Sequence, residues 1–364
     1  MVLPMAFPPQ VFQFHDIAAV SVQGDSTFVR TFFEAEYRYH HVNVTIPDLA
    51  RGTNIDSPGA QPSLPNVFLD FHQDSASPEG YTHHTHKLLA RWNYKLTIQP
   101  AKVDLHVHGN QAAVSMVHHM LVHPSLRWLA CNRGTLLLHA GAVAKNNKSL
   151  IFTGKGGAGK TTITSLVLAS DRGWQIHADD YVFLKDGVSK AYVTRSHLYR
   201  DLLNWVPAVR DRLTPSEQAR LEFFGVLRKY TREGIKWPVR LGPQRLWPGT
   251  PIADTASTAA ILLLERADIS KPTLTPVTDL ELAANDLLEM NFGEARHFLT
   301  LLQKANAVDA KWLPSWKDTE RGLLASLLKK TPIYRLVLPF SQREAAKDTQ
   351  TQANLMSLLD DLVK

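Results

Sequence analysis

"LIFTGKGGAGKTTITSLVLAS", residues 150–170, decides how this chain is read. Leu150, Ile151 and Phe152 have strand composition, the spacing G-x-x-x-x-G-K-T runs from Gly154 to Thr161, and Ile163, Leu166, Val167 and Leu168 recur at helical intervals. The pattern predicts strand, glycine loop and helix. Glycines let backbone N–H groups turn inward around a phosphate without Cβ clashes, and a helix N-terminus adds positive potential at the same spot. The candidate nucleotide-binding residues are therefore Gly154, Lys155, Gly156, Gly157, Ala158, Gly159, Lys160, Thr161 and Thr162. In such a loop Lys160 reaches the β- and γ-phosphates of ATP, and the Thr161 hydroxyl ligates Mg²⁺.

Working outward, TLLLHAGAVA (135–144) and KSLIFTG (148–154) flank Asn146-Asn147 and read as a β-hairpin whose second strand runs into the loop. This places His139 one strand away from Lys160. Downstream, GWQIHADDYVFLKDG (173–187) reads as a strand interrupted by Asp179 and Asp180 and followed by a turn. AAILLLERAD (259–268) has the continuous apolar run of a strand covered on both faces. The tail holds helical patterns around 280–290, 293–305 and 319–330, a strand PIYRLVLP (332–339) and a terminal amphipathic helix. Upstream, residues 1–130 read as a separate α+β domain, with strands over 67–72 and within 95–109 and a helix from Gln111 to about Trp128, broken or bent near Pro124. The expected division is 1–130, 131–345 and a C-terminal helix, 346–364.

A length of 364 residues exceeds what one core usually organises. The lone Cys131 excludes an internal disulfide framework. The N-terminal MVLPMAFPPQVFQFH lacks the charged start and apolar core of a signal peptide, and no apolar run is long enough to span a bilayer, so a soluble cytoplasmic protein without a membrane partner is expected. The formal charge of +6 is modest for this length, and no nucleic-acid module accompanies it, so nucleic acid is not an expected partner.

Three kinds of protein carry loops of this kind. The words GKGGAGKTT (154–162) resemble the deviant phosphate loop of partition and arsenite-pump ATPases, in which an extra lysine, here Lys155, reaches a partner's nucleotide. In those families, however, the loop lies near the N-terminus, and the next strand ends in a D-x-D-P-type signature rather than in ADD. A generic P-loop NTPase would use the 259–265 strand and Glu265 to position water. LLLHAGAVA, then TGKGGAGKTT, then HADDYVFL resembles the HPr kinase/phosphorylase family in order and spacing, over roughly residues 115–345. That resemblance implies an α/β P-loop nucleotide-binding domain of HPr-kinase/phosphoenolpyruvate-carboxykinase type, a mixed sheet with helices, here preceded by the α+β domain.

The resemblance also implies roles: ATP and Mg²⁺ as cofactors, Asp179 as the base that takes the acceptor hydroxyl's proton, His139 assisting near the transferred phosphate, and Lys160 on the phosphates. Thr161 and Asp180 are the candidate metal ligands. Adjacent strand residues point to opposite faces, so Asp179 and Asp180 cannot both serve the γ-phosphate unless the backbone kinks. The family's glycine-rich segment after the acid pair has no counterpart. An insertion, 192–257, stands there instead, so the expected substrate is an unidentified hydroxyl on a protein, peptide or small molecule. Within it Arg228, Lys229, Arg232, Lys236, Arg240 and Arg245 with Trp237 and Trp247 read either as a flap for a phosphate or acidic substrate, or as a basic surface loop. Histidines cluster at 40–41, 83–86, 106–108 and 118–119 without the convergence that a zinc site needs. A regulatory module that binds ATP without catalysis is a further alternative, and homo-oligomerisation stays open.

Overall fold

The computed structural model describes residues 9–42, 64–74, 78–86, 89–231, 237–306, 312–339 and 349–364. The N-terminal stretch read for a leader lies outside these up to residue 8, as do Arg232 and Lys236 of the basic segment. Among the described residues no helix is long and apolar enough to cross a membrane. The chain forms two compact units, one of residues 1–135 with 292–320, the other of residues 136–291 with 321–364.

The first unit is built on a seven-stranded mixed sheet. Its strands are β1 (Gln10–Phe14), β2 (Ala18–Gly24), β3 (His41–Val42), β4 (Asn66–His72), β5 (Thr82–His86), β6 (Ala90–Gln99) and β7 (Lys102–Gly109), in the spatial order β3-β1-β2-β4-β7-β6-β5. β4 lies parallel to both β2 and β7, while β5, β6 and β7 form an antiparallel meander. Val67, Leu69 and Phe71 of β4 and Val103, Leu105 and Val107 of β7 are buried, and the residues between them are only partly so, the period-two pattern of a sheet covered on one face. Helices α1 (Thr27–Glu36), α2 (Gln111–Val117) and α3 (His123–Asn132) pack on this sheet. The bend expected near Pro124 takes the form of a π-helical turn, 118–122, between α2 and α3. Pro124 has no N–H for the carbonyl four residues back, and a π turn absorbs the lost bond without ending the helix.

The second unit holds an eight-stranded mixed sheet. β8 (Leu136–Lys145) and β9 (Lys148–Thr153) form the expected hairpin, with Asn146 and Asn147 both at positive φ, 54° and 59°, as a type I′ turn requires. The loop after β9 leads into α4 (Lys160–Leu168). β10 (Gln175–Ala178) and β11 (Tyr181–Lys185) both pair with β8, and β12 (Val188–Lys190) continues from β11. The insertion folds as β13 (Ser196–Leu198), α5 (Leu202–Trp205), α6 (Pro207–Arg210), α7 (Pro215–Tyr230), β14 (Val239–Leu241), which pairs with β13, and α8 (Pro243–Leu246). The long strand β15 (Thr255–Ala267) runs parallel to β9 and, further along, to a late strand, Ile333–Pro339, which also pairs with β16 (Thr273–Pro276).

After α9 (Leu280–Glu294) come α10 (Arg296–Lys304) and α11 (Trp312–Lys330), then β17 (Ile333–Pro339) and α12 (Thr349–Asp361). The sequence division keeps 131–345 together, whereas the fold assigns 292–320 to the first unit. There Phe298, Leu301 and Trp316 are fully buried, and Arg127 forms a buried ion pair with Glu320 beneath the Phe292 and Trp316 rings. The terminal helix likewise belongs to a larger core: Leu355, Met356, Leu359 and Val363 join Leu150, Phe152, Ile163, Val167, Leu262 and Leu336 in one cluster of the second unit.

Candidate active site

The loop's shape follows from its glycines at two points. Gly157 and Gly159 sit at φ 83° and 102°, where an L side chain is strained, and a Cβ on Gly159 would also stand 2.8 Å from the Arg266 guanidinium. Gly159 caps α4, so the amides of the first turn are free of intrahelical partners and face the loop's interior. Lys160, only 8% exposed, donates from Nζ to the Gly154 carbonyl at 3.0 Å, while Lys155, Gly156 and Gly157 are exposed at the loop's tip.

Asp179 and Asp180 occupy a bend between β10 and β11, not a regular strand. Both strands pair with β8, and the register slips at His177, so the backbone supplies the kink that the pair needs to aim two neighbouring carboxylates at one region. Asp179 accepts hydrogen bonds from the hydroxyls of Ser196 and Thr161. Burial, then the charge of Asp180, push its carboxyl up to about 6, against the opposing pull of the two hydroxyls and Lys160. Asp180 instead meets His139, whose Nε2 lies 3.1 Å from Oδ1, and the His139 ring also packs on Tyr181. The three motifs therefore meet: Thr161 of the loop on the first acid, His139 of β8 on the second.

Several residues that complete this arrangement carry no sequence signal. Asn291, at the end of α9, is buried and accepts from the His139 N–H at 3.0 Å while donating to the Leu137 carbonyl at 3.2 Å. β9 pairs with β8 only from Ala140 onward, because its chain departs into the loop, and Asn291 satisfies the backbone groups left behind. Gly141 of β8 matters by close approach, since a Cβ there would lie 2.5 Å from Oγ1 of Thr164 on α4. Thr164 is itself tied to the Lys160 carbonyl at 2.9 Å. Arg266 on β15 reaches the Ala158 carbonyl from Nε at 3.4 Å and stacks over Trp205. Alternation along β15 turns Glu265 the other way, into an exposed ion pair with Arg335 at 2.8 Å, so the water-positioning role of a generic NTPase has no geometric support.

The basic segment divides. Arg245 clamps Glu217 at the start of α7, 2.7 Å from Nη1 to Oε1, within a capping box made by Thr214 and Glu217. Trp247 is buried as an anchor, whereas Arg228 and Trp237 border a cavity. The clustered histidines of the first unit find different partners: His106 pairs with Asp70, which also meets His72, His108 pairs with Asp74, His83 lies 2.8 Å from Asn93 Oδ1, and His118 meets the Tyr37 hydroxyl. Among the described residues no group of three or more His, Cys, Asp or Glu side chains could hold a metal ion alone.

Beside the loop an apolar hollow is lined by Gly159, Thr162, Leu166, Trp205, Arg266 and Leu355. Near Asp179 a smaller one is lined by Thr164, Thr194, Ser196 and Trp247. The chain is thus a mixed α/β protein with a glycine loop facing an acid pair. No family model matches it, and no curated protein matches it either.

Proposed function

We propose that this protein is an ATP-dependent kinase that moves the γ-phosphoryl group to a serine-type hydroxyl, with a second unit of HPr-kinase-like fold. The observation that carries the reading is the meeting of Thr161, Asp179, Asp180 and His139, drawn from three separate stretches, at the mouth of the glycine loop. The loop amides and Lys160 cradle the phosphates, and the base packs against the apolar side chains beside Thr162. Mg²⁺ is usually held by one or two carboxylates with phosphate oxygens and water, and the donor set fits: Asp180 offers an oxygen, and the Thr161 hydroxyl can donate to Asp179 while presenting a lone pair. When bound, the metal neutralises charge on the phosphates.

In the transfer, a lone pair of the acceptor hydroxyl forms the new O–P bond at the γ-phosphorus. The bond from that phosphorus to the bridging oxygen breaks, and its electron pair stays on the oxygen, giving ADP. The hydroxyl proton passes to Asp179, which a carboxyl titrating near 6 can accept at neutral pH and release to solvent. Asp180 holds the His139 ring in place beside this step.

Calorimetry with ATP and Mg²⁺, paired with light scattering, tests the reading. Lys160→Ala should lose nucleotide affinity, Asp179→Asn should keep it while lowering phosphoryl transfer, even to water, by about 10²- to 10⁴-fold, and Lys155→Ala should change neither. ATP-driven dimerisation abolished by Lys155→Ala would overturn this in favour of a partition-type switch acting through the exposed Lys155. ATP binding with no effect of Asp179→Asn or His139→Ala on turnover would favour a non-catalytic module.

A further inference from the structure

The insertion contains a cavity of about 260 Å³ that the chemistry above does not use. Arg200, Arg228 and Lys229 line it against one acid, Asp201, and Tyr199, Phe224 and Trp237 supply aromatic walls. Trp237 stacks on Phe224 with 5.7 Å between centroids and 17° between planes, yet it is 46% exposed, a flat apolar surface left facing water. The Arg228 guanidinium lies over the Tyr199 ring at 5.3 Å, which fixes its plane. Arg228 and Asp201 are 3.4 Å apart, and Arg200 meets Glu222 at 2.7 Å. These are solvated pairs of small worth, so an oxyanion that enters the cavity can compete for both guanidinium forks.

The cavity's position gives it meaning. Tyr199, Arg200 and Asp201 follow directly on β13, whose Ser196 holds Asp179. Asp201 also acts electrostatically on Arg266, the arginine that touches the glycine loop, and Trp205 of the same segment lies under that arginine. One short stretch of chain, 196–205, therefore lines the cavity, touches the proposed base and borders the loop.

We infer that this cavity receives the phosphoryl acceptor, and that the acceptor carries an oxyanion, carboxylate or phosphate, on a flat ring. The arginines and Lys229 take the oxyanion, and Trp237 and Phe224 take the ring. The acceptor role rests on the kinase reading, whereas the preference for a ring-borne oxyanion does not.

Phenyl phosphate and inorganic phosphate, titrated calorimetrically into the full chain, test the inference. Phenyl phosphate should bind wild type and Lys160→Ala alike, and about tenfold tighter than inorganic phosphate. Arg228→Gln should weaken it about tenfold. Because that change also removes the Asp201 pair, the exposed Lys229→Gln serves as a second probe and should weaken both anions with the melting temperature unchanged. Trp237→Ala should reduce phenyl phosphate to the affinity of inorganic phosphate. Binding lost in Lys160→Ala but kept in the Arg228 and Trp237 variants would place the anion in the glycine loop and overturn the inference, as would no binding up to about 10 mM. If phenyl phosphate binds as expected but ATP does not bind at all, the acceptor role falls with the kinase reading while the oxyanion site stands.

Discussion

At Asp179, stability and the proposed function oppose each other. A carboxyl with an ordinary value near 3.8 when unfolded and about 6 when folded binds its proton more tightly in the native state, so stability falls as pH rises from about 4 to 6. Above pH 6 the fold carries a charge that it disfavours. Asp179→Asn keeps an oxygen for the Ser196 and Thr161 hydroxyls while removing that charge. It should raise stability by about 1–2 kcal/mol at pH 7.5, after discounting for the residue's partial exposure, with the gain vanishing near pH 4. Thermal melts of both proteins from pH 4 to 8, without nucleotide or metal, measure this. A destabilised variant at pH 7.5 would mean that the carboxylate is a net structural asset and that its carboxyl is not raised. The expected pairing of gained stability with lost turnover is the usual signature of a group held for chemistry.

At the scale of elements, the hairpin β8–β9, the glycine loop, α4, the central β15 and the late β17 were all legible, because each is written locally: Asn146-Asn147 for the turn, the glycine spacing for the loop, unbroken apolar runs for the covered strands. Legibility failed where one element completes another across a long stretch of chain. Ser196 sits in RSHLY and Asn291 in LEMNF, with nothing nearby to mark either, yet one holds Asp179 and the other holds the β8 backbone at His139. The bend at Asp179-Asp180 was visible only as a requirement, since alternation forbids what two adjacent acids aimed at one phosphate would need; the register shift at His177 belongs to the pairing with β8 and not to the local sequence. The role of Asn291 has a measurable consequence. Asn291→Ala leaves a buried N–H and a buried C=O without partners and should cost about 2–4 kcal/mol in urea unfolding. The His139 amide should also exchange with solvent faster in that variant by hydrogen-exchange measurement. Unchanged exchange at His139 would show that β8 finds other partners there.

Across the whole molecule, the two units are interleaved in sequence. The chain completes one sheet, threads the glycine loop and β15 through a second, returns α10 and the start of α11 to the first unit, and ends with β17 and α12 in the second. Composition suggested a break near residue 130, and the first unit's opening segment runs to Thr135, but composition could not show the return, because the amphipathic face of α10 says only that it packs, not on what. The apolar groups at stake are large: Phe298, Leu301, Leu302 and Trp316 are all buried, and each contributes roughly 1.5–3 kcal/mol when so placed. A fragment of residues 136–364 keeps every element of the second unit yet strips these four of the unit that covers them. It should therefore bind a hydrophobic dye and self-associate in light scattering, although its own core, closed by Leu355, Met356, Leu359 and Val363 of α12, is intact. The same fragment should still bind ATP if Lys160 and the loop are sufficient for it. A monodisperse fragment without dye binding would show that 292–320 folds with the second unit, and that the break near residue 130 is the true domain boundary.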